Sequence, residues 1–350
     1  MTTSPTLSIQ PLAGVRIVEF EGIGPGPLCG AILAGMGAAI TLVTRPQKGL
    51  ADMLAGGAAN PLREGKHEVQ LDLKDPQQLR QALDIVAQAD ALIEGNRPGV
   101  MERLGLGPAH CAAVNPRIVY GRMTGWGQDG PLAQAAGHDI NYVALTGMLS
   151  LGWRDGERPV PVPTMMGDAP GALGLAFGMV SAILHARTTG KGSVVDGAIV
   201  DTVAMLGGIA QLVMAGGQLG GPAPSPFHDS PFYDSYRCAD GRWITIGALE
   251  PQFYALLLQK LGLHDVDPKR QYDTAAWPAL KARFAALFLS QPCSHWCELM
   301  EGTDVCFAPV LTVAEARRHP HNAARGIFNA DGSARAAPRV TALPEASDGR

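Results

Sequence analysis

Three titratable residues stand where acid–base chemistry could be done. His138 lies in GQDGPLAQAAGHDINYV, a glycine-rich segment after a strand-like run ending near Thr124. Loops beyond the carboxyl ends of parallel strands are where α/β folds place their sites. Asp168 lies in VPTMMGDAPGALGLAF, a stretch almost free of other charge. Such a carboxylate either caps the helix that follows it or, desolvated, gains the basicity of a general base. Glu250 stands between RWITIGAL and PQFY, where it either caps a helix or orients a catalytic base. Asp139, beside His138, reads as a cap for a helix starting at Ile140.

Cations follow a similar pattern. Arg45 ends a strand in LVTRP, Lys66 lies in LREGKHE and Arg97 in EGNRPGV. Each alone reads as a solvated charge; together, at strand ends, they suggest an anionic ligand. The stretch VEFEGIGPGPLCG invites comparison with a dinucleotide loop, G-x-G-x-x-G. Its third glycine would fall on Pro27 or Cys29, and Pro25 and Pro27 lack the N–H groups a pyrophosphate needs. A tight turn with proline in the first turn of a helix is the better reading. Cys293, His295 and Cys297 lie close together but have neither zinc-type spacing nor a second ligand pair, so no metal is expected.

The elements that must position these residues alternate. VRIVEF (15–20), AAITLV (38–43), VQLDL (69–73), ALIEG (91–95) and RIVYGRMTG (117–125) read as strands. Helical spacing of Leu28, Ile32, Leu33 and Met36, and of Leu79, Leu83 and Val86, fills two of the gaps, the second helix opening on Asp75 and Pro76. Repeated βαβ units predict a parallel sheet covered on both faces. From 169 to 215 the pattern turns helical; residues 216–231 are Gly/Pro-rich and read as a linker. A smaller α+β unit follows over 232–324, with a hairpin turning at Asp240-Gly241. The large domain spans 1–215 and is expected to be completed by 325–350.

Composition sets the outer limits. In 350 residues, 46% hydrophobic content with 17% charged residues implies a large core. A net charge of −4 gives no electrostatic reason to expect nucleic acid or an anionic membrane. The apolar run Ala169–Leu184, rich in Gly and Ala, reads as a buried helix rather than a span. The opening MTTSPTLSIQ shows no secretory pattern, and the six cysteines read as reduced thiols, so a cytoplasmic location is expected.

Several motifs in order give the chain a family likeness. PLAGVRIVEFEGIGPGP, LIEGNRPGVMERLGLGP, RMTGWGQDGPLAQAAGHDINY, GERPVPVPTMMGD, GKGSVVDGAIVD, FYDSYRCADGRWITIGALEPQFY and GTDVCFAPVL resemble the class III CoA-transferase superfamily, and within it the α-methylacyl-CoA racemases. The resemblance implies a Rossmann-like large domain, a smaller α+β domain and an interlocked homodimer, acting on acyl-CoA thioesters without a cofactor beyond CoA itself. By position it implies His138 and Asp168 as the catalytic pair and Glu250 as their support. It implies Arg45, Lys66, Arg97, Asp139 and Tyr142 as CoA contacts, with Gly24, Pro25, Gly137, Met165 and Met166 lining the site. Two bases on opposite faces of a carbon beside a thioester could remove its proton and return one to the other face. The enolate oxygen would take N–H donors near Asp168 or in the helix after it. Transferases of the superfamily use the aspartate as a nucleophile instead; the GHDINY form resembles the racemases. A binding homologue with weak turnover is a further alternative. Departures from the family pattern are Gly35, Ala39 and Thr44, where acidic residues are usual, and Pro170, which removes an N–H near Asp168.

Overall fold

Runs of branched aliphatic residues build the centre of the first of two compact units. The computed structural model describes residues 9–47, 60–152 and 159–343. One unit takes the described residues up to Gly152, Pro159–Leu206 and those from Phe328 on; the other is Gly207–Ile327. Residues 344–350, the end of the segment expected to complete the large domain, lie outside the described residues.

In the first unit, β1 (Arg16–Phe20), β2 (Ala39–Thr44), β3 (His67–Gln70), β4 (Ala91–Glu94), β5 (Val119–Thr124) and β6 (Ser193–Ala198) form one parallel sheet in the order β3-β2-β1-β4-β5-β6. Strands buried on both faces are built mainly from apolar side chains, and Ile17, Val18, Leu92, Ile93 and Val119 are each at most 1% exposed. Helices α1 (Pro25–Gly35), α2 (Pro76–Ala87), α3 (Val100–Arg103), α4 (Pro108–Val114), α5 (Asp139–Leu145), α6 (Asp168–Thr189) and α7 (Ile199–Leu206) surround it. One core gathers Cys29, Leu33, Leu175 and Met179 from α1 and α6; another gathers Ala82, Val86 and Cys111 from α2 and α4. Asp75 caps α2 by accepting from Gln77 N and Gln78 N, with Pro76 at its first position.

β6 lies inside the stretch that reads as helical. Its SVVDGA carries only two valines, and its place is fixed by pairing with β5 from Val119↔Ser193 to Thr124↔Ala198, a long-range constraint without a local signature. The third strand also sits earlier than VQLDL suggests, at His67–Gln70.

Helix α6 carries Asp168 at its first position, so its seating decides where that carboxylate points. At 22 residues it is long and apolar enough to cross a membrane by length and composition alone, yet its buried face packs within the unit on β5, β6 and α1. Close approach comes from glycines at i, i+3 and i+7. A Cβ on Gly171 would lie 2.7 Å from Ile199 Cγ1, on Gly174 2.5 Å from Thr202 Oγ1, and on Gly178 2.8 Å from Val195 Cγ1. The opposite face shows Leu173, Phe177 and Leu184, each more than half exposed.

The second unit builds its own core from aromatics: Phe232, Tyr236, Tyr254, Trp277, Phe284 and Phe288. They pack between the antiparallel β7 (Tyr233–Arg237), β8 (Trp243–Gly247) and β9 (Phe307–Pro309) and the helices α9 (Pro251–Lys260), α10 (Trp277–Leu289) and α11 (Cys293–Met300), with α8 (Gly208–Ala215) preceding them. The β7–β8 hairpin turns at Asp240-Gly241, where Gly241 adopts φ 78°. Cys238 and Cys293 are buried, and burial pushes the Cys297 thiol up to about 12. Among the described residues no group of three or more His, Cys, Asp or Glu side chains is placed to hold a metal ion.

Gly174→Val should destabilise the first unit by about 1–3 kcal/mol through overpacking against Thr202, read as a lower midpoint in urea with an unchanged slope.

Candidate active site

A cavity of about 1100 Å³ opens at the carboxyl ends of the parallel strands. Its wall takes Gly22–Pro25 after β1, Gly95–Pro98 after β4 and Thr124–Trp126 after β5, together with His138 and Asp168. β1 and β4 are neighbours in the sheet while the chain leaves them towards opposite edges, the crevice in which open α/β sheets bind ligands.

His138 immediately precedes α5 and is exposed; its backbone N–H donates to Asn141 Oδ1 at 3.0 Å. Asp168 is the first residue of α6, and its carboxylate makes no cap bond, so the capping role drops out. Burial raises its pKa from the usual carboxylate value to about 6; the Asp139 carboxylate pushes in the same direction, and His138 opposes both.

What holds Asp168 is its neighbour in space. Asp139 is buried, and its Oδ1 accepts from Gly167 N at 2.8 Å and Asp168 N at 2.7 Å. Gly167 leaves room for this: a Cβ there would lie 2.8 Å from that same oxygen. The backbone just after His138 is thereby tied to the start of α6. Asp139 begins α5 rather than capping it, and its Oδ1 is engaged by those two amides. The first-turn amides of α6 are equally occupied: Ala169 N donates to Thr164 O at 2.9 Å, and Pro170 has none to give. Asp168 N and Ala169 N, among the donors expected there, thus already have acceptors. Among the described residues, the N–H groups of Gly26 and Asp139, each in the first turn of its helix beside the cavity, find no acceptor.

Gly24 brings α1 against Asp168. It adopts φ 69°, ψ −119°, a conformation that strains any side chain, and a Cβ there would sit 3.4 Å from Asp168 Oδ2. Tyr142 donates its OH to Gly137 O and meets Trp126 edge-on at 4.7 Å between ring centres. Its phenol pKa is pushed up by burial and by the Asp168 carboxylate, while the Arg97 guanidinium pulls it back. Arg97, Tyr142, Gly24, Pro25 and Gly137 all belong to the cavity wall, whereas Met165 and Met166 do not, and Met165 is 61% exposed.

Two cations differ from expectation. Arg45 lines a second hollow of about 510 Å³, which shares Asn96 in its wall with the first and is edged by Lys74 and Arg103. Lys66 lines neither hollow: its Nζ is fully buried, 2.5 Å from Glu19 Oε2. Lys74, Arg103, Asn96 and Trp126 carry no distinguishing signal in the sequence, since their place in a wall depends on strand order. Glu250 belongs to the second unit, at the cap position of α9 but without a side-chain cap bond, near Tyr272 and Cys306.

Residues 12–349 match CoA-transferase family III over nearly the whole chain. The chain belongs to this family. It is 40% identical to the alpha-methylacyl-CoA racemase of Mus musculus over 95% of this chain and 86% of the relative. Identity to the Homo sapiens racemase is 38%, over 95% and 87%. The acetyl-CoA:oxalate CoA-transferase of Acetobacter aceti is 30% identical over 93% and 87%. Among solved structures, Rv3272 of Mycobacterium tuberculosis superposes with a TM-score of 0.76 at 26% identity, covering 97% of this chain and 93% of that one.

The Asp168 carboxyl should titrate near 6 when followed by NMR of labelled aspartate. Asp139→Asn, which keeps an acceptor oxygen but removes the charge, should lower that value. The sign for stability follows. Above about 6 the folded protein must ionise a carboxyl that prefers its proton, and below the unfolded value of 3.8 it need not. Asp168→Asn should thus raise the melting temperature more at pH 8 than at pH 4.

Proposed function

We propose that the chain inverts the C2 centre of 2-methylacyl-CoA thioesters by two-base proton transfer. The observation that carries this reading is the convergence of His138 and Asp168 on one cavity wall, with the Asp168 carboxyl raised to about 6. A base with that proton affinity exists near neutrality in both forms, as it must to accept a proton in one direction and return one in the other. In one direction, the Asp168 carboxylate takes the C2 proton. The C–H electron pair moves into the C1–C2 bond, and charge develops on the thioester oxygen. Protonated His138 then delivers a proton to the opposite face, and the oxygen's charge returns to a carbonyl. The reverse direction exchanges the two roles.

The free N–H groups of Gly26 and Asp139 are the donors assigned to the enolate oxygen, in place of the occupied amides of α6. Arg97 is assigned to the CoA moiety, and Arg45, Lys74 and Arg103 around the second hollow to its phosphate-bearing end. Glu250 is assigned to orienting the His138 imidazole. The proposal includes a cytoplasmic homodimer that uses no cofactor beyond the CoA of its substrate. The exposed apolar stripe Leu173, Phe177 and Leu184 on α6 supports association with a second copy.

A transfer reaction, with Asp168 attacking the thioester carbonyl and releasing CoA thiolate to form an anhydride, is the second reading. It is favoured by the likeness to the Acetobacter aceti transferase. The presence of His138 in the wall favours racemisation, because that chemistry needs a second proton-transfer group and anhydride formation does not.

Wild-type protein with a single-enantiomer 2-methylacyl-CoA in heavy water should incorporate deuterium at C2 and lose optical purity with no acceptor acid present. Deuterium-free, configurationally stable substrate that loses its CoA to an added carboxylate would establish the transferase instead. His138→Ala and Asp168→Ala should each slow exchange by about 10²–10⁴-fold while ester affinity stays within a few-fold. Arg97→Ala should weaken ester binding by about 10–100-fold without altering which face is protonated.

A further inference from the structure

Lys66 is a cation enclosed by the fold. Its Nζ lies 2.5 Å from Glu19 Oε2 and donates to Pro27 O at 3.0 Å, and the two charged side chains are 0% and 1% exposed. Glu19 stands on β1 in the middle of the sheet, where burial outweighs the nearby Lys66 charge and raises its pKa to about 7. A buried pair of this kind contributes little net stability against a hydrophobic replacement, so its presence asks for another explanation. The surroundings are built for it. A Cβ on Gly30 would lie 1.8 Å from Glu19 Oε2 and 3.0 Å from Lys66 Nζ, so α1 accommodates the pair only because that position is glycine.

The pair touches the site on two sides. Pro27 belongs to the first turn of α1, whose start at Gly24 abuts the Asp168 carboxylate. Lys66 also closes the segment that begins with Asn60, Pro61 and Leu62, all three in the cavity wall. A second pair fastens the same segment to the end of β1: Arg63 Nη2 lies 2.6 Å from Glu21 Oε1. Glu21 in turn accepts from Arg45 N at 3.0 Å.

We propose that Glu19 and Lys66 are positioning residues of the proton-transfer site, fixing the first turn of α1 against Asp168 and the 60–62 wall against the sheet. The inference rests on Asp168 acting as a base, as proposed above. It separates cleanly from a role for Lys66 in holding CoA. An arginine would preserve a phosphate contact, but its planar fork does not fit a fully enclosed ammonium site. Glu19, an anion only 1% exposed, is no partner for a phosphate.

The test uses the full chain with Glu19→Gln, Lys66→Arg and Lys66→Met. Each should lower kcat for C2 deuterium exchange by about 10–100-fold, with the Kd for free CoA within twofold of wild type. Backbone amide exchange over 22–30 and 60–64 should accelerate in the same variants. Lys66→Arg with wild-type kcat, or Glu19→Gln with wild-type kcat and unchanged amide exchange, overturns the proposal. So does a Lys66→Met variant that loses CoA affinity tenfold while keeping kcat. If the lysine variants do not fold, Glu19→Gln, which keeps shape and an acceptor oxygen, decides alone. Absence of C2 exchange in wild type would sink the racemase reading, whereas the amide-exchange comparison would still report whether the pair fixes α1.

Discussion

Two N–H groups pointing at one carboxylate oxygen hold this site together. Asp139 Oδ1 receives Gly167 N and Asp168 N, so the start of a 22-residue helix hangs on the residue that follows His138. Helix N-termini leave several donors without partners. Here a side chain almost thirty positions away supplies the acceptor, where an ordinary cap would use the residue just before the helix. The same carboxylate lies close enough to Asp168 to resist a second negative charge. One contact therefore sets the position of a group and its hold on a proton. Gly167 and Gly24 complete the arrangement by keeping side chains out of the space around both carboxylates.

Charge in the first unit divides by purpose. Arg97 faces the main cavity, and Arg45, Lys74 and Arg103 edge the smaller hollow. Lys66 and Arg122 are enclosed with glutamates, Lys66 with Glu19 and Arg122 with Glu94 and Glu102, at positions on or beside the central strands. Burial raises both Glu19 and Glu94 to about 7. Carboxylates in such positions keep their charge only through cations beside them. These pairs join Lys66 to β1 and Arg122 of β5 to β4 and α3, while Arg97, Arg45, Lys74 and Arg103 are what the cavity walls present.

Much of the architecture was legible because it rests on local physics. Aliphatic-rich runs such as RIVEF and ALIE announce strands covered on both faces, and Asp75-Pro76 announces the start of α2. His138 and Arg97 read as candidates because each follows a strand whose end could be read, and Asp168 because it stands in a nearly charge-free stretch before a helix; all three line the cavity. What escaped depends on partners distant in sequence. β6 becomes a strand by pairing with β5, across 74 positions at Val119↔Ser193. Lys66 reads as one more surface cation until the fold encloses it with Glu19, 47 positions away. The first-turn amides of α6 read as available donors until Asp139 and Thr164 are seen to fill them. Sequence spacing shows which residues can cap or alternate; it does not show which backbone groups a remote side chain has already engaged.

The glycine face of α6 has an evolutionary corollary. A helix seated backbone-close on β6 and α7 has almost no slack, because any added carbon at 171, 174 or 178 meets a neighbour within 2.8 Å. Added bulk along that face would have to push the helix off its seat, and the carboxylate at its tip would move with it. Pro61, Leu62 and the alanines at 133, 135 and 136 belong to the cavity wall but not to that helix. On the proposed activity, tuning to different acyl groups would fall to such wall positions, where side chains can be exchanged while the chemistry stays where it is.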